Sequence, residues 1–224
     1  MRLLRGRAAD YERDDARTRE TVARADAEPA LRVWRPHRQV AFGRRDRRSA
    51  GYERAREAAS ERGYAVLERE VGGRAVAYTG STVAFALAEP TATDGEGIEE
   101  RYDRVSGATR RALATVGVDA SEGEPPDSFC PGTHSLQADG KVVGIAQRVR
   151  QEVALTAGIV VVRDHGAVSA VLSPVYDALG VPFDPASVGS VARAGGTGDG
   201  LLDALETELV GSRSVTSRGH IRDT

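Results

Sequence analysis

The chain has 224 residues with a formal net charge of −2, and 40% of its residues are hydrophobic. This length suits one large domain, and the near-neutral charge lacks the basic signature of nucleic-acid binders. No apolar run reaches membrane-spanning length, the N-terminus lacks a signal-peptide stretch, and one cysteine excludes an internal disulfide. We therefore expect a cytoplasmic, single-domain protein that binds neither nucleic acid nor membrane.

Helices and strands alternate along the N-terminal half. Residues 9–27 are highly charged and poor in large apolar side chains, which predicts a solvated helix that packs weakly on the domain. Apolar runs and helical spacings predict the elements that follow. In chain order they are strands at 31–34 and 39–43, a helix over 49–62, a strand at 64–69, and a pair of strands over 74–78 and 81–89.

The C-terminal half begins with an acidic linker at 91–100 and ends in a segment, 211–224, with too little apolar content to fold. The elements predicted between them are a helix over 98–116, a strand at 133–138, a hairpin turn at 139–140, strands at 141–150 and 152–162, and helices over 167–179 and 200–209. The pattern predicts one α+β domain over 1–210, with a mixed, mainly antiparallel sheet, helices packed on one side, and a disordered tail.

Two rare residues lie close together in the second half. Lys141 is the only lysine among 31 basic residues, and asparagine is absent, a bias typical of a GC-rich genome. A lysine that survives such bias suggests a site that needs a compact ammonium, although chance retention on a turn gives the same count. Cys130 lies eleven residues upstream in a Pro-Gly loop. A thiol beside a cation becomes a nucleophile, whereas the alternative is a small buried hydrophobe.

A second candidate site is the glycine pair Gly72-Gly73. Paired glycines after a strand let backbone N–H groups approach a ligand closely, and the flanking Arg69 and Arg74 favour an anion. A simple bulge or turn is the alternative. No two histidines have metal-ligand spacing, so no metal site is predicted.

These segments resemble the lipoate–protein ligase and octanoyltransferase superfamily, which shares its catalytic fold with biotin–protein ligases. Residues 31–34 and 40–44 are similar to its leucine-x-x-tryptophan and valine-x-x-glycine-arginine strands, and 69–76 to its glycine-pair loop. The most specific match is 140–147, which is similar to its lysine-x-x-glycine-x-alanine-glutamine element. The resemblance covers about 31–188.

The resemblance implies roles for individual residues. Lys141 would contact the carbonyl end of the acyl group, and Cys130 resembles the nucleophilic cysteine of one octanoyltransferase branch. The chain departs from the family pattern at Val71, where serine or threonine is usual, at 78–79, where histidine-aspartate is common, and at Ala157 in place of a histidine. The expected cofactor-binding residues are Arg69, Gly72, Gly73, Arg74, Gly144 and Gln147.

The resemblance implies that a lipoyl or octanoyl group is attached to a lysine of a lipoyl carrier domain, either an E2 domain or a glycine-cleavage H-like protein. We rank a ligase route first, in which ATP and Mg²⁺ give an acyl-adenylate and lipoate or octanoate is the substrate. The alternative is transfer from a carrier thioester through Cys130, without cofactor. A third alternative is a non-catalytic binder, marked by a filled tunnel or by Lys141 buried in an ion pair. Whether the activity requires a separate accessory subunit stays open.

Overall fold

The computed structural model describes residues 1–25, 27–69, 71–91, 97–150 and 152–221. Five α-helices lie within these ranges: α1 (Tyr11–Ala23), α2 (Tyr52–Ser60), α3 (Ile98–Thr115), α4 (His165–Leu179) and α5 (Leu201–Val210). The strands are β1 (Arg2–Gly6), β2 (Ala30–Trp34), β3 (Gln39–Phe42), β4 (Ala65–Glu68), β5 (Val76–Tyr78), β6 (Val83–Pro90), β7 (Ser121–Glu122), β8 (Leu136–Gln137), β9 (Lys141–Arg150), β10 (Val153–Val160) and β11 (Ser217–Ile221).

The strands form two sheets. The large one has the order β11-β1-β2-β6-β10-β9-β8-β7, and a small one has the order β4-β3-β5. Parallel pairing joins β1 to β2 and β11, and β3 to β4, whereas all other neighbours are antiparallel. The prediction of one α+β domain with a mixed, mainly antiparallel sheet is confirmed.

Helices cover both faces of the large sheet, which differs from the expected one-sided packing. Leu31 and Val33 of β2 belong to the core under α3 and α5. Because successive side chains of a strand point to opposite faces, Arg32 points the other way. There its guanidinium pairs with the buried Asp14 and donates to the Thr18 hydroxyl, both on α1. This buried ion pair fixes α1 on the face opposite to α3.

Long-range pairing overturns two local predictions. The strands predicted as a pair around residue 80 do not pair, because β5 joins β3 and β6 lies between β2 and β10. The predicted disordered tail is wrong for Ser217–Ile221, which pairs along β1, itself a strand that the sequence patterns missed. Residues 222–224 and half of the predicted acidic linker, 92–96, lie outside the described residues. Among the described helices none has both the length and the apolar character needed to cross a membrane.

Candidate active site

Cys130 lies where two predicted motifs meet. Its thiol is partly exposed, and its Sγ accepts a hydrogen bond of 3.0 Å from Arg69 Nη2. Gly73 adopts φ +93°, and a Cβ added there would lie 2.4 Å from that sulfur. A side chain at position 73 would therefore displace the thiol, so the glycine is required for the close approach. The structure brings together Cys130, Arg69 and Gly73, residues from two separately predicted motifs.

The backbone of Cys130 is held on both sides in a left-handed conformation, with φ +45°. Its N–H donates to the Tyr176 hydroxyl at 2.6 Å, and that hydroxyl donates to the Ala75 carbonyl at 3.0 Å. Its carbonyl accepts from Lys141 Nζ at 2.8 Å. Non-glycine residues reach this conformation at a cost of about 1–3 kcal/mol unless their surroundings hold them there. Tyr176 thus ties the cysteine loop to the glycine-pair loop.

Lys141 is fully buried, and protein acceptors engage all three of its N–H donors. Nζ lies 2.6 Å from Glu124 Oε2 and 2.8 Å from the carbonyl oxygens of Phe129 and Cys130. Burial lowers the pKa of Lys141, an effect that Cys130 and Glu124 oppose. The expected contact with an acyl carbonyl therefore requires one of these three bonds to break.

Glu124 completes this arrangement and was missed by sequence reasoning. Its carboxylate also accepts from the Ser135 hydroxyl at 2.8 Å and from the Gly132 N–H at 2.9 Å. Burial alone would raise the pKa of Glu124, but the hydrogen bonds from Lys141, Ser135 and Gly132 outweigh it and leave the pKa lowered. One carboxylate therefore holds both the ammonium and the loop that follows the cysteine.

A cavity of about 520 Å³ lies beside this cluster, on the α1 face of the large sheet. Arg69 and Gly144 are in its wall, so the guanidinium that contacts the Cys130 sulfur also borders the cavity. Charged side chains of α1, of the far end of β9 and of Glu152 just before β10 line its other end. Apolar side chains that line it include Trp34, Leu67, Val71, Ala86, Leu155 and Ile159. The cavity is open rather than filled by side chains, and its many apolar lining residues suit an acyl chain.

The remaining predicted residues separate into two groups. Gly72 is exposed at the loop, and Arg74 pairs with Asp46 at 3.3 Å instead of facing the cavity. Gln147, expected among the cofactor-binding residues, does not line the cavity. Its side chain donates to Thr156, and its N–H donates to the Tyr102 hydroxyl of α3. Three positions separate it from Gly144, so the two point to opposite faces of β9 and only Gly144 reaches the cavity.

Two further residues near the cluster carried little sequence signal. Tyr176 lies on the apolar helix α4, and a buried tyrosine hydroxyl usually needs a hydrogen-bond partner. This general rule is the one signal in the sequence that could have pointed to Tyr176. Glu124 sits in a loop whose composition gives no such hint. Within the described ranges, no group of three or more His, Cys, Asp or Glu side chains is placed to hold a metal ion.

Comparison with known proteins gives consistent matches. Residues 11–190 match the family model for the lipoyl protein ligase A/B catalytic domain. An octanoyl-GcvH:protein N-octanoyltransferase of Anoxybacillus flavithermus is 30% identical over 130 residues, which are 58% of this chain and 46% of that protein. A lipoyl-GcvH:protein N-lipoyltransferase of Listeria monocytogenes is 28% identical over 136 residues, 60% of this chain and 49% of that protein. The chain thus spans about half the length of the curated relatives it matches.

Solved structures match over nearly the whole chain. Lipoate-protein ligase A bound with ATP has a TM-score of 0.74 at 20% identity, covering 100% of this chain and 87% of that one. The bi-partite lipoate protein ligase of Thermoplasma acidophilum, studied with its E2 lipoyl domain, has a TM-score of 0.60 at 20% identity and covers 100% and 86%. At these identities the likeness shows the shared fold.

Proposed function

The chain belongs to the lipoyl protein ligase A/B catalytic domain family, and we propose that it transfers an octanoyl or lipoyl group to a lysine of a lipoyl carrier domain through a Cys130 thioester. The observation that carries the proposal is the placement of the Cys130 sulfur 3.0 Å from the guanidinium of Arg69, a residue that lines the open, mainly apolar cavity. The relatives reported above are named as transferases that act with GcvH. We therefore rank transfer above the ligase route that the sequence favoured.

The proposed reaction has two balanced steps. The Cys130 thiolate attacks the acyl carbonyl of the donor, the bond to the donor carrier breaks, and the released carrier group takes up a proton. The lysine amine of the acceptor then attacks the enzyme thioester, forms an amide, loses a proton and regenerates the thiol. The acyl chain lies in the cavity, where each buried methylene contributes roughly 0.8 kcal/mol.

Charge stabilisation in both steps falls to groups beside the sulfur. Arg69 remains charged, because a guanidinium is not deprotonated in proteins. Burial acts to lower the pKa of Arg69, but the neighbouring Cys130 leaves it raised. Among the described hydrogen bonds none uses the backbone N–H groups of Gly72 or Gly73. These N–H groups are our candidates for binding the oxyanion, since Lys141 is already saturated.

The buried Lys141–Glu124 ion pair was the sign expected of a non-catalytic binder. Its position argues for a different role, because the ammonium donates to the carbonyl of Cys130, and the sulfur of that cysteine contacts Arg69 in the cavity wall. The pair thus holds the candidate nucleophile in place. Silence in both assays described below would restore the binding-only alternative.

The adenylate route, with ATP and Mg²⁺, is the second candidate. It is supported by Arg69 at the cluster end of the cavity, where the carboxyl end of the acyl group would lie, because a guanidinium suits the phosphate of an acyl-adenylate. In that route Cys130 has no covalent role, and lipoate or octanoate enters as the free acid.

Intact-protein mass spectrometry separates the two routes. The protein is mixed, without ATP, with octanoyl-acyl carrier protein or with an octanoylated H protein. An adduct of one octanoyl group that is absent in Cys130→Ser supports transfer. No adduct, together with carrier lipoylation once ATP, Mg²⁺ and lipoate are added, overturns it in favour of the ligase.

A further inference from the structure

Four arginines crowd an exposed five-residue segment directly after β3. We call this segment, Arg44–Arg48, the arginine loop. Arg44, Arg45, Arg47 and Arg48 are all exposed, whereas Asp46 between them is fully buried. The chain as a whole has a net charge of −2. The loop is therefore a strong local departure from the average charge of the protein.

Few carboxylates neutralise the arginine loop. Arg47 pairs with Glu68 at 2.7 Å, and Asp46 turns inward to Arg74. In the part of the chain that the structure describes, no carboxylate pairs with Arg44, Arg45 or Arg48. Three guanidinium groups are therefore available to a partner.

The arginine loop lies beside the thiol. A Cβ at Gly43 would lie 1.9 Å from the Gly73 carbonyl oxygen, and Gly73 in turn contacts the Cys130 sulfur. Asp46 fastens the loop in this place by accepting from the Gly43 N–H at 2.9 Å and from Arg74 at 3.3 Å. The arginine loop thus begins directly after Gly43, which packs against Gly73, and Gly73 packs against the Cys130 sulfur.

We propose that the arginine loop docks an acidic surface on the protein that presents the acceptor lysine. The inference rests on the proposed function. An enzyme that acylates a protein lysine must contact the surface around that lysine, and the arginine loop, which begins near the thiol, is positive. A positive loop repels a basic surface and attracts an acidic one, which fixes orientation and speeds encounter. Acidic neighbours also offset the charge of the incoming lysine.

Binding tests the proposal independently of catalysis. The probe is the apo E2 lipoyl domain of the same genome, carrying a fluorophore away from its lysine, and its Kd is read by anisotropy at 50 and 300 mM NaCl. The loop variant is R44Q/R45Q/R48Q. The matched control, R110Q/R163Q/R218Q, removes the same charge from exposed arginines on α3, before α4 and on β11.

We expect the loop variant to bind about tenfold more weakly than wild type at 50 mM NaCl, and to lose most of the salt dependence. The control triple should stay within about twofold of wild type. Equal Kd values for the loop variant and the control would overturn the proposal. Tight binding that does not respond to salt in wild type would overturn it as well.

Loading of the thiol separates this proposal from the proposed function. Octanoyl-N-acetylcysteamine is an uncharged thioester, so its reaction with Cys130 does not need the arginine loop. We expect equal loading rates in wild type and both triple variants, with a raised KM for the apo E2 lipoyl domain only in the loop variant. Failure of wild type to load would count against the proposed transferase and leave the anisotropy result to decide the docking surface.

Discussion

Replacing Lys141 by methionine should unfold the protein at a lower temperature as well as stop acyl transfer. Methionine keeps much of the side-chain volume but removes the ammonium. The Glu124 carboxylate then loses its ionic partner, and the carbonyls of Phe129 and Cys130 lose their donor. Breaking a buried ion pair costs about 3–5 kcal/mol. The low end applies here, because Glu124 keeps its bonds from Ser135 and Gly132.

A loss of about 3 kcal/mol lowers the Tm of a chain of this size by about 6–12 °C. Circular dichroism at pH 7.5 measures it, with Glu124→Gln and the double variant completing a cycle. We expect coupling between the two positions, because they form one ion pair. Suppose instead that Lys141→Met melts within about 1 °C of wild type yet forms no thioester. The ammonium then acts on substrate, and its proposed role in holding the cysteine loop is refuted.

Lys141→Arg keeps the positive charge at this position but changes the shape and the number of donors of the side chain. From residue type alone, this change is expected to remove activity and spare stability. Full burial alters that expectation, since a guanidinium is larger and brings five donors to a site with three acceptors. We expect a loss of about 1–3 kcal/mol from overpacking and unsatisfied donors. Unchanged Tm with lost transfer would support the original expectation.

Four further predictions concern the same cluster. Tyr176→Phe should slow thioester formation about tenfold or more, since the Cys130 N–H loses its acceptor, and single-turnover loading followed by mass spectrometry measures it; a rate equal to wild type would refute the positioning role. Gly73→Ala should abolish loading, because the new methyl overlaps the sulfur, and recovery of normal loading would contradict the packing argument. Arg69→Met should slow alkylation of Cys130 by iodoacetamide at pH 7, since the thiolate loses its cation; an unchanged rate would show that the guanidinium does not activate it. The lowered pKa of Glu124 contributes stability that is present above its unfolded pKa, near 4.5, and is lost as the pH falls through its folded pKa. The fall of Tm with decreasing pH should therefore be shallower in Glu124→Gln than in wild type. An equal dependence of Tm on pH in the two proteins would refute this contribution of Glu124.

Local patterns predicted most elements because their signals lie within a few residues. Strand β9 was predicted at 141–150 and is found there, since an apolar run follows the Asp139-Gly140 turn. Both turn residues adopt positive φ, as such hairpin turns require. The same strand shows the limit of motif reasoning. Two-residue periodicity already separates Gly144 from Gln147, so the motif could not present both to one ligand.

What the sequence could not supply depends on distant partners. Strand β11 has little apolar content and becomes ordered by pairing with β1, more than 200 positions away. The charged helix α1 was expected to pack weakly, yet it lines the cavity and buries Asp14 against Arg32. The local composition of β11 favours disorder and that of α1 favours exposure, and in both segments pairing with a distant part of the chain outweighs this tendency.

The single lysine can be understood from the number and arrangement of its acceptors. A carboxylate oxygen and two successive backbone carbonyls surround Nζ, and an ammonium supplies one donor for each. Those carbonyls belong to the turn in which Cys130 adopts φ +45°. The ammonium therefore stabilises a backbone conformation that costs energy, and that conformation places the sulfur against Gly73 and Arg69. Lys141 can thus be essential for acyl transfer without touching the acyl group, because the geometry of the thiol depends on it.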